Sequence, residues 1–454
     1  MIEKFPYGRA PFWLLIVAAV SSIVRPIVAR SGSSRPDLLY VTFSHLHQET
    51  YEKVVGEFER RHDIHVQFQY SDWHVLQSRL ENAMLAGADV PDMVEVFEGS
   101  LGFFTRGPAA DIGLLDLTDK IRSTGLDRRL VQSRFASWST GGRVYAFPHD
   151  VHPTMLAYRR DLVERLGIDV KSLDTWDKFV EAGRRITRDE NGDGIIDHYM
   201  LDLPGDGQWG LETLMLQRGS QLFDAQGRVA FDTDVTAATI RWYIEQTRGP
   251  AKIAYDAGMD QPLLKVMTDG LVLFYITPDW RSGFFEHELP GLKGKMALMP
   301  LPAWEPGGRR TSVWGGTGLV ISRRTKHPDL AWDLAQFLYY NPKEGGERFV
   351  GTKIVPVDRD EWGLPELDAP DPYYSNQPIG RLYADLAPRT PPHYVTALTV
   401  VAQRKLNEAY SRSLQHYERF GEEGLDRAIR EELARAAEYV RIREERNEAL
   451  AQVQ

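Results

Sequence analysis

Apolar and polar positions fall into blocks along this chain, and each block has the period of one element. Residues 38–43 (LLYVTF) form a short β-rich run. From 49 to 62, Tyr51, Val54, Val55 and Phe58 recur at helical spacing. Residues 64–70 (IHVQFQY) alternate as a second strand, 75–86 read as a helix ended by Gly87, and 93–97 (MVEVF) make a third strand. A β-α-β-α-β order predicts a parallel sheet with helices on its faces. Such sheets take ligands beyond the carboxyl ends of their strands, where strand order reverses. The loops at 44–48 and 98–100 are therefore the predicted walls of a site.

The alternation continues. Strand patterns occupy 144–148 and 154–158, and a new helical unit starts at 159–166. Residues 175–188 predict an amphipathic helix with Trp176, Phe179, Val180 and Ile186 inward. Further helices are predicted at 236–247 and 328–340, around a buried strand at 270–276 (GLVLFYI). Leu425, Ile429, Leu433, Ala436 and Val440 form a last apolar stripe, and residues 441–454 read as a charged, solvated tail. There is no internal repeat and no long low-complexity tract.

The first residues differ in kind. Lys4 and Arg9 precede an uncharged apolar run at 12–24, which Arg25 and Pro26 interrupt. A basic start followed by a short apolar stretch reads as a secretory leader. The run is shorter than the ~20 residues that span a bilayer. If Arg25 snorkels to the interface, the segment stays as an uncleaved anchor instead. The polar stretch 30–36 (RSGSSRP) is a linker, so residues 1–37 are leader or anchor plus linker.

Composition removes several classes. The chain has 454 residues, with 54 Lys+Arg against 64 Asp+Glu and a formal charge of −10. That balance excludes a bulk nucleic-acid binder, which carries a basic face. The length suggests two or three domains. Cysteine is absent, which removes disulfides, thiolate metal sites, cysteine nucleophiles and cysteine acylation. No P-loop, GxSxG, HExxH or GxGxxG signature occurs.

Five stretches, in this order, carry a resemblance: ETYEKVVGEFERRHDIHVQFQY, AGADVPDMVEVFEG, GGRVYAFPHDVHPTMLAYRRDLVERLGI, DGLVLFYITPDW and TSVWGGTGLVISRRTKHPDLAWDLAQFL. From about residue 38 to 440 the chain resembles the extracellular solute-binding proteins of ABC transporters, in the sugar-binding group that includes maltose-binding protein. The resemblance implies an α/β, two-lobed periplasmic binding protein fold with a ligand cleft between lobes. The chain would cross between them near Asp150, Trp314 and Val357. Residues 38–150 with 314–356 would form one lobe and 151–313 with 357–440 the other. It further implies a non-catalytic, periplasmic, monomeric receptor that passes a carbohydrate to a membrane permease.

Sugars offer apolar C–H faces to aromatic rings and hydroxyls to carboxylates or amides. Aromatics make up 11% of the chain, with 11 Trp. Phe43 closes the first strand. Trp209 sits in a Gly-rich stretch, Asp279 and Trp280 follow the buried strand, and Trp314 precedes two glycines. Tyr373 lies in a Pro-rich segment. These read as cleft residues, with core packing the alternative for Trp209, Trp280, Trp314 and Tyr373. Trp176, Trp242 and Trp332 sit on helical stripes and read as core. Glu98 contacts ligand by resemblance or accompanies a helix N-terminus. Asp150 and His152 stand at the first crossing, where His152 either binds a hydroxyl or belongs to a rigid turn before Pro153. His45 and His47 read as solvated loop residues, and Arg281 as a surface ion pair rather than an acid-sugar ligand.

Two alternatives stay open. Asp189, Asn191, Asp193 and Asp197 have oxygen ligands spaced like the start of a calcium loop, yet Met200 stands where a bidentate glutamate belongs. The segment is either a structural Ca²⁺ site or a turn held by side-chain to backbone hydrogen bonds; no other cofactor is implied. A secreted glycoside hydrolase would need a carboxylate pair, for which Asp150 and Asp279 are the candidates. Within the receptor reading, an aromatic platform favours sugar and a ring of carboxylates favours a cationic solute.

Overall fold

The computed structural model describes residues 36–453, apart from 87–89, 106–108, 206, 208 and 260. The leader expected before residue 36 and the helix end expected at Gly87 lie outside the described residues.

Among those residues, ten strands form two five-stranded sheets. They are β1 (Leu38–Thr42), β2 (Val66–Tyr70), β3 (Met93–Phe97), β4 (Ala146–Pro148), β5 (Thr154–Arg159), β6 (Tyr199–Asp202), β7 (Ala254–Tyr255), β8 (Val272–Pro278), β9 (Met296–Pro300) and β10 (Thr317–Ile321). The first sheet has the order β2-β1-β3-β10-β4 and the second β9-β5-β8-β6-β7. β1 pairs in parallel with both β2 and β3, and β10 runs antiparallel to β3 and β4. Strand order thus reverses at β1, which puts the ends of β1 and β3 at the switch point.

The helices follow from local sequence. Ser44 accepts a hydrogen bond from the His47 amide and starts the helix His45–His62, four residues before the apolar spacing begins. Thr175 caps the helix Trp176–Ile186 in the same way. Period-two alternation sends neighbouring strand residues to opposite faces. Tyr40 and Leu319 pack with Phe58, Phe147 and Trp332 on one face of the first sheet. Val41 and Val320 pack with Leu80 and Trp138 on the other. In the second sheet Leu156 and Phe274 join Phe179, Leu406 and Leu433, and Met155 and Tyr275 join Phe285 and Tyr374.

The chain leaves the first sheet after Pro148, builds the second from Thr154 to Pro300, and returns at Thr317. Isolated bridges pair Asp150 with Pro356 and Pro153 with Val313, tying these passages together. The helix Pro342–Thr352 belongs to neither body alone. It packs on the helix His45–His62 and on the helix Asp279–Glu288, while its Phe349 joins the core of the second sheet. The charged residues from Arg441 continue the helix Leu425–Val453; positions 441–446 are mostly exposed, and Arg441 pairs with Asp232 at 2.6 Å. The helix's Arg, Glu and Ala content explains the continuation, since these are strong helix formers. Among the described residues, no helix is long and apolar enough to cross a membrane.

Gly318 in β10 is fixed by packing. A Cβ there would lie 2.6 Å from the buried indole of Trp138. Gly318→Ala is expected to lower the unfolding free energy by about 1–3 kcal/mol through overpacking, read as a shifted urea midpoint. An unchanged midpoint would mean that the indole moves aside freely.

Candidate functional site: an aromatic cavity over a buried chain of charges

A cavity of about 470 Å³ opens between the edges of the two sheets. The first sheet contributes Phe43 and His47 beyond β1, Trp73 at the start of the helix after β2, and Phe97 at the end of β3. Trp209, Trp280 and Phe284 come from the side of the second sheet, and Trp314 to Thr317 from the passage between them. Phe97 meets Trp209 edge to face, with centroids 6.2 Å apart, and Trp73 at 6.0 Å. Trp280 meets Trp314 edge to face at 5.9 Å, and its indole N–H donates to the Trp314 carbonyl at 3.1 Å. Among the described residues lining the cavity there is no Asp, Glu, Lys or Arg.

The charges lie below this surface. Glu212, His393, Glu98, Arg134, Asp150, His152 and Asp279 form a chain that alternates in sign. His393 stands between Glu212 (Nε2 to Oε1 3.0 Å) and Glu98 (Nδ1 to Oε1 3.1 Å). Arg134 spans Glu98 at 3.5 Å and Asp150 at 3.4 Å. His152 stands between Asp150 (3.0 Å) and Asp279 (2.6 Å). The Thr317 amide donates to Asp150 and the Val355 amide to Asp279, each at 2.8 Å. Each imidazole therefore joins a carboxylate on the first-sheet side to one on the second-sheet side. Gly315 and Gly316 lie directly over the chain. A Cβ on Gly316 would collide with the Arg134 guanidinium, and Gly315 adopts φ +90° beside Trp280, a conformation that favours glycine.

Burial draws both imidazoles down, and their carboxylates more than offset it. Glu98 and Glu212 hold His393 up at about 10, and Asp150 and Asp279 do the same for His152. Burial likewise pushes Asp150 up, while His152, His149 and Arg134 hold it well below the usual carboxylate range. A second cluster orients His47. Its Nδ1 meets Glu95 at 3.0 Å, and the Tyr40, Tyr51 and Tyr339 hydroxyls also donate to that carboxylate.

The structure places Phe43, His152, Trp209, Trp280 and Trp314 on the cavity wall. Glu98 sits one layer down, beside the small pocket that His393 and Glu212 also line. Asp150 and Asp279 are fully buried and both engaged by His152, so neither presents the free carboxylate that ligand contact or glycoside hydrolysis requires. Tyr373 is a correction. It is only 2% exposed, and its hydroxyl donates to the Phe285 carbonyl inside the second sheet's core. Arg281 keeps the expected ion pair, with Asp202 at 3.8 Å, but as a buried one; its guanidinium also donates to the Ile276 carbonyl and lies over the Trp314 ring at 5.1 Å. His45 stacks on Tyr70, whereas His47 is buried and lines the cavity. Trp176 and Trp332 are core, and Trp242 packs partly buried against Trp176.

In the segment 189–197, Asp189 accepts from the Gly192 and Gly194 amides, Asn191 from Asp193, Asp193 from Ile195, and Asp197 from Glu190. Among the described residues, no group of three or more His, Asp or Glu is arranged to hold a metal ion.

The two raised histidines set an alkaline limit. Their folded-state values lie above the unfolded value of 6.5. Their stabilisation is therefore complete below pH 6.5, declines as pH rises, and is lost above about 10. Urea titrations from pH 7 to 10 are expected to show falling stability. His393→Gln should lower stability at pH 7 by about 3–5 kcal/mol, because it strands buried carboxylates, and should flatten the slope. The same slope in His393→Gln and His152→Gln would show that neither imidazole carries the charge.

Residues 44–342 match the family model for the bacterial extracellular solute-binding protein. The arabinooligosaccharide-binding protein of Halalkalibacterium halodurans is 27% identical over 74% of this chain and 75% of its own length. The solved sugar-binding protein MalE from Xanthomonas citri superposes with a TM-score of 0.72 at 20% identity, over 90% of this chain and 98% of that one. A binding protein from B. animalis subsp. lactis, in complex with beta-1,6-galactobiose, gives 0.68 at 17% identity over 89% and 98%. At those identities the two structures speak for the shared two-lobed fold. The family match covers about two thirds of the chain, and on it the chain belongs to the bacterial extracellular solute-binding proteins.

Proposed function

We propose that this protein is the capture component of an ABC transporter, binding an oligosaccharide between its lobes and presenting it to a membrane permease. The observation that carries this reading is the aromatic cavity whose described lining holds no carboxylate. A ring of carboxylates would suit a cationic solute, whereas indole faces suit the C–H faces of sugar rings. Because Phe97 and Trp209 reach the cavity from opposite sides, a ligand resting against both rings contacts both lobes at once and shifts the population toward the closed form. The chain carries out no chemistry on its ligand, since Asp150 and Asp279 are engaged by His152 beneath the surface. It works as an exported monomer, with the apolar segment 12–24 serving as leader or tether.

A thermal-shift and calorimetric screen over arabino-, malto- and galacto-oligosaccharides tests this. A cognate sugar at 100 times its Kd should add about 2.7 kcal/mol to the unfolding free energy. Trp209 is 36% exposed, so Trp209→Ala should weaken binding at least about tenfold while the melting temperature of the free protein hardly moves. Equal loss of stability and affinity would make the indole a packing residue, and turnover of a glycoside would overturn the receptor reading.

The loop at 189–197 holds its shape in our reading without a cation, through its own backbone amides. EDTA should then leave the melting temperature unchanged. A clear fall, reversed by Ca²⁺, would restore the calcium site.

A further inference from the structure

The cavity wall is not uniform. Trp209, Trp280 and Trp314 offer indole platforms, while the side chains of Leu46, Met259, Phe284 and Ile354 have no hydrogen-bonding capacity. Phe284 lies one helical turn beyond Trp280, so the platform continues into the patch. The C-terminal end of the helix Pro342–Thr352 assembles the rest. A Cβ on Gly351 would lie 3.7 Å from Thr50 Oγ1, on the helix that carries Leu46. A Cβ on Gly283 would lie 2.6 Å from the Thr352 carbonyl oxygen, beside Phe284 and Ile354. At the rim Leu46 is 38% and Met259 48% exposed. Apolar side chains left open at a cavity rim, above the more buried Phe284 and Ile354, mark a place that a ligand covers.

Among the described polar groups of the wall, His152, Trp280 and Thr352 already have partners, while Ser44, His47 and Thr317 line the same cavity. Both nitrogens of His152 face carboxylates, and the Trp280 N–H donates to Trp314. Thr352 Oγ1 donates to the Arg348 carbonyl and accepts from the Ile354 amide. An unmodified oligosaccharide carries a hydroxyl on most ring carbons. Pressed against Leu46, Met259, Phe284 and Ile354, those hydroxyls would lose water and gain no partner, which is costly. An aryl or acyl group there gains from the same desolvation.

We infer that the ligand is an uncharged glycan bearing an apolar substituent, aryl or acyl, which seats on the Leu46–Met259–Phe284–Ile354 patch while a sugar ring rests on the indoles. The inference builds on the reading of the cavity as a glycan site and narrows its chemistry.

Isothermal titration tests it with three forms of each oligosaccharide in the arabino, malto and galacto panel: unsubstituted, 4-nitrophenyl glycoside or O-acetylated, and oxidised to a uronic acid. The substituted form is expected to bind at least about tenfold more tightly than the unsubstituted one, and the uronic acid more weakly than either. Met259→Asn and Leu46→Asn change rim positions that are open to solvent, so folding tolerates them. Each should bring the ratio of substituted to unsubstituted affinity toward one. If unsubstituted sugars bind and substituents add nothing, or if the ratio survives both substitutions, this inference falls and sugar capture stands. If no glycan of any form binds, both fall together.

Discussion

An imidazolium held between two carboxylates, one from each side of the cavity and at least one of them buried, is the interaction on which this structure depends. It occurs twice, at His152 and at His393, and Arg134 joins the two into one chain. A buried charge is tolerable only when it is paired and hydrogen-bonded. Alternation of sign satisfies that condition at every link, since each carboxylate has a cation beside it. Removing one link would leave its neighbours uncompensated, and the cost falls on the passages where the two sheets are joined.

That placement bears on motion. Glu98 and Asp150 belong to the first-sheet side, Glu212 and Asp279 to the second. A movement that pulled Glu98 away from His393 would expose one charge or strand the other. Rotation between the sheets is therefore cheapest about an axis that keeps these contacts closed. Displacement then grows toward the rim, where Trp73, Trp209, Leu46 and Met259 stand partly in solvent. Those residues have the fewest polar ties to hold them and the most apolar surface for a ligand to cover.

Much of this was legible in the sequence, for a reason that also explains the failures. The β-α-β-α-β opening is written in periods of 2 and 3.6, so the switch point at β1 and β3 followed from local pattern, and with it Phe43; Phe97, the last residue of the third strand, was passed over in favour of the loop after it. Trp209, Trp280 and Trp314 stood out because Trp280 follows a strand and the other two stand beside glycines. Tyr373 was misplaced because a Pro-rich segment looks like a surface loop, whereas here Asp371 holds it through the Tyr373 amide and packs the ring inward. Glu95 had a signal that the pattern did not weigh, a charge inside the apolar strand MVEVF, which a folded chain keeps only if partners surround it. Arg134 and His393 had none. His393 lies 181 residues from Glu212 and Arg134 lies 181 from the Gly315 carbonyl it binds, so only the closed topology reveals either.

The apolar character of the cavity and the charge chain beneath it are one fact seen from two sides. Asp150, His152 and Asp279 could each have met a ligand hydroxyl, and the sequence reading assigned them that task. In the folded chain they satisfy one another, with the Thr317 and Val355 amides taking the remaining acceptor positions. The described surface laid over them is mostly rings and aliphatic chains, with Ser44, Thr317 and Thr352 among them, and with Gly315 and Gly316 thin enough to let Trp280 and Trp314 close across the top. Selectivity in such a site comes from shape and from the penalty for burying unpartnered hydroxyls, rather than from a matched set of hydrogen bonds. That mode discriminates well against charged solutes and only modestly between sugars of similar outline.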